Sequence, residues 1–193
     1  MRVNEIFYSL QGEGYHTGTA AVFVRFSDCN LQCPFCDTDH QTGVEMNEEE
    51  IVSKVGEYKA NMVVITGGEP ALQITESLVD KLHQTGKFVT VETNGTQPLP
   101  ANIDWVTLSP KNAYLDENAQ PILTQANELK LVYDGEISPE LYENIKTDYR
   151  FLQPCDTGNE TRNRLIVEKA VAYCKKNPQW RLSLQTQKII NIR

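Results

Sequence analysis

Seven short apolar runs alternate with segments of helical repeat, and this constrains the 193-residue chain more than any other feature. The runs are "AAVFVRFS" (20–27), "MVVIT" (62–66), "KFVTVET" (87–93), "IDWVTLS" (103–109), "ELKLVY" (128–133), "YRFLQP" (149–154) and "RLSLQT" (181–186). Each is rich in β-branched and aromatic residues and bounded by polar turns, the pattern of strands buried on both faces. Between them, "NEEEIVSKVGEYK" offers Asn47 as N-cap with Glu50 at capping-box spacing, and Ile51, Val52, Val55 and Tyr58 on one face. "ITESLVDKLHQTG" groups Ile74, Leu78, Val79 and Leu82 and stops at Gly86. "SPELYENIKTD" starts with Ser138 and Pro139, and a last helix is expected over about 159–176, ended by Pro178. Such alternation predicts a mainly parallel sheet with right-handed crossovers. Residues 93–103 and parts of 110–127 leave too little chain for full helices, and a complete eight-fold barrel needs roughly 250 residues. The expected architecture is a single α/β domain over residues 1–193, a partial, open TIM-like (β/α) barrel with fewer helices than strands.

The chemistry-bearing residues fall on one edge of that sheet. "TGGEP" follows the run at 62–66, "ETNG" ends 87–93, "SPK" follows 103–109 and "QP" ends 149–154. All lie at carboxyl ends of expected strands, the edge where parallel sheets and barrels carry ligands. Just past the first core strand lies "CNLQCPFCDTDH" (29–40), with Cys29, Cys33 and Cys36 spaced C-x3-C-x2-C. A formal net charge of −8 argues against a general nucleic-acid or anionic-membrane binder, though a local basic pocket for a small anion remains compatible. "MRVNEIFYSLQGEG" has no apolar stretch of signal-peptide length, and no segment approaches a membrane span. A cytosolic protein is expected, whose five cysteines serve as ligands or buried thiols. Cys174, on the apolar side of the last helix, reads as a core residue, and His16, His40 and His83 as loop or surface histidines.

Three clustered thiols admit three readings. A structural zinc site closes with four ligands, and His40 or a distant cysteine could supply the fourth. A cluster that only carries electrons also takes four thiolates. Three thiolates alone leave one iron open to a reactant, by the logic of a catalytic metal with a free position.

With Phe35 before the last cysteine, and Gly67-Gly68-Glu69-Pro70 at the next strand end, the chain resembles the radical S-adenosylmethionine enzymes. In these the open iron of a [4Fe–4S] cluster binds the cofactor's methionine moiety. Within that superfamily it resembles the 7-carboxy-7-deazaguanine synthase family over nearly its whole length. The matching stretches are "FYSLQGEG" (7–14), "AVFVRFSDCNLQCPFCDTD" (21–39), "VVITGGEP" (63–70), "VETNGT" (91–96), "LSPK" (108–111), "LKLVY" (129–133), "FLQP" (151–154) and "LSLQTQK" (182–188). The resemblance implies a compact reduced barrel and conversion of 6-carboxytetrahydropterin to 7-carboxy-7-deazaguanine with loss of ammonia. It also implies three cofactors: the cluster, S-adenosylmethionine and Mg²⁺. An electron donor such as flavodoxin or ferredoxin is implied too, as is a homodimer. The cofactor carries the hard chemistry, and the protein orients it and keeps water out.

Carried over residue by residue, Cys29, Cys33 and Cys36 hold the cluster and Thr38 a Mg²⁺ that binds the substrate acid. Mg²⁺ keeps several waters, so one protein hydroxyl suffices. Phe35 and Asp37, the latter through its backbone, adjoin the cofactor. Gly68 and Glu69 meet its methionine amino group, Glu92 and Asn94 its ribose region, and Ser109, Lys111, Gln153 and Pro154 complete its pocket. Leu10, Gln11, Gly12, Glu13, Arg25 and Thr66 are the implied substrate contacts. Gln11 and Glu13 offer the donor and acceptor pattern of a pterin's amidine edge, and Arg25 is a charge inside an apolar strand, paired or aimed at an anion. Some relatives read "QTHK" near the C-terminus where this chain has "QTQK", so Gln185 and Gln187 receive no role. A glycyl-radical activating enzyme shares the size and cysteine spacing, but "SLQGEG", Arg25 and Thr38 speak against it. An electron-transfer or zinc module would leave the rim motifs idle.

Overall fold

The computed structural model describes residues 1–115 and 117–193. Nine strands form one open sheet in the order β3-β1-β2-β4-β5-β6-β7-β8-β9. They are β1 (Arg2–Leu10), β2 (Ala20–Phe26), β3 (Val44–Glu45), β4 (Met62–Gly67), β5 (Phe88–Thr93), β6 (Trp105–Leu108), β7 (Gln125–Tyr133), β8 (Lys146–Pro154) and β9 (Trp180–Leu182). From β2 to β9 every pairing is parallel, as expected; β1 runs antiparallel to both β2 and β3. The sheet does not close, in agreement with the open partial barrel read from the missing helices.

Four α-helices accompany it: α1 (Glu48–Gly56), α2 (Glu76–Gln84), α3 (Glu160–Lys176) and the short α4 (Thr186–Ile189). The capping box forms as its spacing predicts: Glu50 N–H donates to Asn47 Oδ1 at 2.9 Å, and Asn47 N–H to Glu50 Oε2 at 2.8 Å. Helix α2 starts instead from Thr75, whose Oγ1 accepts from Leu78 N–H at 3.1 Å, and Gly86 follows it at φ +76°. Side chains alternate across each strand. The outward set of β2, β4 and β5 (Val22, Val24, Val63, Ile65, Val89, Val91) packs with Ile51, Val55, Leu78 and Leu82 of α1 and α2. The outward set of β7 and β8 (Leu129, Leu131, Leu152) packs with Ile166 and Ala170 of α3 and with Trp180. Full burial of such side chains contributes about 1.5–3 kcal/mol each. Both cores therefore lie on the convex side; on the concave face Ala21, Met62, Val64 and Phe23 form a smaller apolar patch at the β2–β4 end, and the remaining positions carry the polar residues of the cavity. Cys174 packs at the edge of the second core, as read.

Three expectations need correction. The stretch "FYSLQGEG" (7–14) carries a motif and no expected strand, yet residues 2–10 form β1, with a register shift between Val3 and Glu5. The helix expected from Ser138 is one 3-10 turn, Pro139–Tyr142, before β8 begins at Lys146. Its Tyr142 and the following Ile145 are buried in the second core, and β8 starts directly after Ile145, which leaves no chain for a longer helix. The run at 181–186 yields strand only to Leu182, and α4 takes over at Thr186. His16 is a loop residue, as expected, and half-buried: it packs edge-on against Trp105 and Tyr15, and its Nε2 is buried without a hydrogen-bond partner among the described residues. Among the described residues no helix is long and apolar enough to cross a membrane.

Candidate active site

The carboxyl ends of β2, β4, β5, β6 and β8 open into one cavity of about 830 Å³, within the size range of small-molecule sites. The cysteine loop leaves β2 and crosses the end of β4. There Gly67, at φ +141°, accepts a conformation that side chains disfavour. Gly68 N–H donates to Phe26 O (3.1 Å) and Glu69 N–H to Asp28 O (2.9 Å). A Cβ on Gly68 would collide with the Asp28 carbonyl and the Cys29 side chain, so the bare backbone is what lets the loop lie on the strand end.

Cys29 and Cys33 are half-buried and Cys36 is exposed; all three are free thiols on this loop, and all three line the cavity. Cys36 N–H donates to Cys33 O at 3.1 Å, and Leu31 N–H points at Cys29 Sγ at 3.5 Å. Burial pushes the Cys29 and Cys33 thiols up, with Lys111 drawing Cys33 back down. Lys111 itself is lowered by burial, and its ammonium donates to Ser109 O (2.7 Å) and Oγ (2.6 Å). Phe35 packs edge-on against Tyr114, ring centroids 4.6 Å apart, and Thr38 is half-buried on the cavity wall. Among the described residues no three His, Cys, Asp or Glu side chains converge as they would around a single ion. An all-thiol donor set on a loop, with an N–H directed at sulfur and a cation beside it, suits an iron–sulfur cluster.

Behind the loop, β7 contributes Lys130, 3% exposed. Its ammonium lies 2.7 Å from both Glu13 Oε2 and Glu92 Oε2. Gln11 Nε2 donates to Glu92 Oε1 (2.9 Å), Gln153 Nε2 to Glu13 Oε2 (3.0 Å), and Gln185 and Gln187 Nε2 to Glu13 Oε1 (3.1 and 2.9 Å). Burial pushes Glu13 up, but Lys130 and the amides of Gln187 and Gln153 outweigh it and hold the carboxyl at about 2. Burial pushes Lys130 down, and Glu13, Glu92 and Glu128 reverse this to a net rise. The network binds residues 11–13, β5, β7, β8 and the C-terminal segment into one wall.

Every residue assigned from sequence except Glu69 lines this cavity, but several side chains are engaged in contacts of their own. Glu69 is fully buried, and its carboxylate accepts from Ala71 N–H (3.0 Å), Thr93 Oγ1 (2.7 Å) and Asn94 N–H (2.7 Å). Burial raises its pKa and these three donors restrain it. The side chain ties the β4 end to the β5 end instead of facing the cavity. Glu92 is engaged by Gln11 and Lys130, and Gln153 by Glu13 and Ser183, so both belong to the Glu13–Lys130 network while lining the cavity. Asp37 pairs with Lys188 of α4 at 2.9 Å. Arg25 is a paired ion: its Nε lies 2.9 Å from Glu5 Oε1, and Arg193 contacts the same carboxylate. Asn94, Ser109, Thr66, Pro154 and Gly12 line the cavity, with Leu10 39% exposed at its mouth.

Sequence reasoning missed Lys130, Gln185, Gln187 and Lys188. For Lys130 a signal existed, a charge inside the apolar run "ELKLVY", the same signal that singled out Arg25. For Gln185, Gln187 and Lys188 the signal is the family-like stretch "LSLQTQK" (182–188), which by itself assigns them no contact.

Residues 23–114 match the Radical SAM superfamily model. The 7-carboxy-7-deazaguanine synthase of Bacteroides thetaiotaomicron is 50% identical over 192 residues, with 100% of this chain and 98% of the relative covered. That of Nitratidesulfovibrio vulgaris is 42% identical, covering 99% and 98%. The crystal structure of QueE from Escherichia coli superimposes with a TM-score of 0.75 at 32% identity, over 96% of this chain and 93% of that one. The chain thus belongs to the 7-carboxy-7-deazaguanine synthase family of the radical S-adenosylmethionine superfamily.

Proposed function

We propose that this chain converts 6-carboxy-5,6,7,8-tetrahydropterin to 7-carboxy-7-deazaguanine with loss of ammonia. The observation that carries the reading is the single cavity shared by the three free thiols and the Glu13–Lys130–Glu92 network. Cys29, Cys33 and Cys36 would hold a [4Fe–4S] cluster, with Gly68, Asn94, Ser109, Lys111 and Pro154 around S-adenosylmethionine. Bound there, cluster and cofactor supply a carbon-centred radical to the substrate. The residues of the chain bind, orient and exclude water. Glu13, its carboxyl held ionised by Lys130, presents an acceptor to the amidine edge of the pterin, and Gln11 and Glu92 extend the polar wall. Thr38 on the opposite wall would place its hydroxyl on a Mg²⁺ that takes up the substrate carboxylate. The reductant would be a small donor such as flavodoxin or ferredoxin, and the assembly a homodimer, both read from the family.

The test is anaerobic reconstitution with iron and sulfide, then incubation with reductant, S-adenosylmethionine, Mg²⁺ and the carboxypterin. Substrate-dependent 7-carboxy-7-deazaguanine is expected; product formed without S-adenosylmethionine would sink the reading. Thr38→Ala should keep the cluster's visible spectrum and lose most of the rate enhancement by Mg²⁺. An unchanged Mg²⁺ titration would remove Thr38 from the metal.

A further inference from the structure

Below the Lys130 network, one layer deeper in the concave face, lies a second buried charge with no part in the function just proposed. Glu128 precedes Lys130 by two positions on β7, so both side chains point into the barrel. It is 2% exposed. Its register partners are Thr107 on β6 and Tyr149 on β8. Its cover is the loop that carries Glu13. Tyr15 N–H donates to Glu128 Oε2 at 3.0 Å, and Gly14, at φ +66°, lies so close that a Cβ there would collide with Oε1. The Tyr15 ring lies over Trp105 and Tyr149, centroids 4.9 and 4.3 Å away. The loop thus has two fastenings to one strand: Glu13 on Lys130 above, and the Gly14-Tyr15 backbone on Glu128 beneath.

The two fastenings differ in charge balance. Lys130 is already shared between Glu13 and Glu92 at 2.7 Å each, so it is not a private counter-ion for Glu128. A carboxylate sealed among aromatic rings with one backbone donor is costly when ionised and cheap when neutral. When the loop lifts, Gly14 and Tyr15 leave and water can reach the carboxylate. Seating the loop is therefore opposed by the Glu128 charge.

We propose that Glu128 is a positioning residue for the substrate loop, and that the loop seats Glu13 on Lys130 more firmly when Glu128 is neutral than when it is ionised. The groups facing it support the sign. Burial raises the Glu128 carboxyl to about 7; Lys130 and Tyr15 N–H draw it down, Glu92 pushes it up, and the Trp105 indole draws it down. Tyr149 stands beside it with Arg181 over its ring, and His16 on the same loop is pushed below its ordinary range by burial. An exposed glutamate titrates at about 4.3. A group whose pKa is raised in the seated state favours that state below its exposed pKa, and the advantage is lost as pH rises through about 7. Between about pH 6 and pH 8 the seating equilibrium should fall about tenfold.

The functional weight of this proposal rests on residues 11–15 being the substrate loop, but the loop's seating can be measured without substrate. The experiment is amide hydrogen exchange of the peptide covering residues 11–19, read by mass spectrometry in the wild-type chain and in Glu128→Gln, with rates corrected for the intrinsic pH dependence of exchange. Protection in the wild type should fall about tenfold from about pH 6 to pH 8. Glu128→Gln, which keeps an acceptor for Tyr15 N–H without the charge, should be flat across that range and better protected than wild type at about pH 8. Protection that is constant or rises with pH in the wild type overturns the proposal, and this arm needs no variant to fold. A variant less protected than wild type at about pH 8 also overturns it, since a merely structural glutamate would behave that way. In turnover, the KM for the carboxypterin should rise with pH in the wild type and not in Glu128→Gln. Failure of turnover in both proteins, with the exchange result intact, would count against the pterin reading and leave the latch standing.

Discussion

Cys33→Ala, reconstituted anaerobically with iron and sulfide, will stay colourless and form no product, while its far-ultraviolet dichroism matches that of the parent. The contrast between lost chemistry and kept fold follows from where the residue stands. Cys33 is half-buried on a loop at the cavity wall, away from both apolar cores, so trimming its sulfur removes little packing. As a ligand it has no deputy. Of the two other cysteines outside the loop, Cys174 packs against the convex core, and Cys155 lies on the cavity wall past β8 with its thiol raised by burial. A cluster left with two of its three thiolates has no third soft donor on the loop, since the other side chains there are apolar or offer only amide, hydroxyl, carboxylate or imidazole donors. Cys33 is the sharpest choice of the three because, although burial pushes its thiol up, Lys111 faces it and offsets part of that rise. Retained activity in Cys33→Ala would falsify the cluster reading, and would reopen Cys155 as a ligand.

What could be read from the sequence was local. The capping box at Asn47 and Glu50 involves three residues of separation and forms as expected. The strand ends announce themselves because Gly67-Gly68 and Ser109-Pro110 interrupt apolar runs. Where a local signal is met by less structure than it implies, the reading overshoots: Ser138-Pro139 starts a helix correctly, but β8 begins at Lys146 and the helix ends after one turn at Tyr142. Strand β1 was hidden because its alternation slips at Val3/Glu5 and its outer edge pairs with only the two residues of β3.

The site was legible as a set of residues and illegible as a set of contacts. Glu13 meets Gln185 and Gln187 across more than 170 positions of chain, and no periodicity encodes that. Glu69 illustrates the same limit from the other side. Its motif marks it as important, but only the fold reveals that its three hydrogen bonds go to Ala71, Thr93 and Asn94, so that it ties the β4 end to the β5 end beside the cavity. A family resemblance transfers which residues matter more readily than what their side chains face.

Lys130→Met should lower the melting temperature by roughly 6–20 °C at neutral pH, the largest stability effect expected of any single change at the site. Methionine keeps the length and burial of the aliphatic stem, so the loss isolates the charge. Glu13 and Glu92, each 2.7 Å from the ammonium and with side chains only 15% and 23% exposed, would be left as two largely enclosed carboxylates without their shared cation. Breaking a buried pair by removing one partner costs about 3–5 kcal/mol, and a chain of this size loses roughly 2–4 °C per kcal/mol. The pH dependence separates charge from packing. In the parent, Glu13 is held at about 2 against about 4.3 in an unfolded chain, so its share of stability is complete above the unfolded value and is lost as pH falls towards 2. Without Lys130, burial is no longer offset and the Glu13 carboxyl should rise, so the variant gains stability on acidification where the parent loses it. The gap in melting temperature should therefore be widest near pH 7 and shrink towards about pH 3. A gap of constant size across that range would mean that the lysine stem, and not its charge, holds the loop to β7.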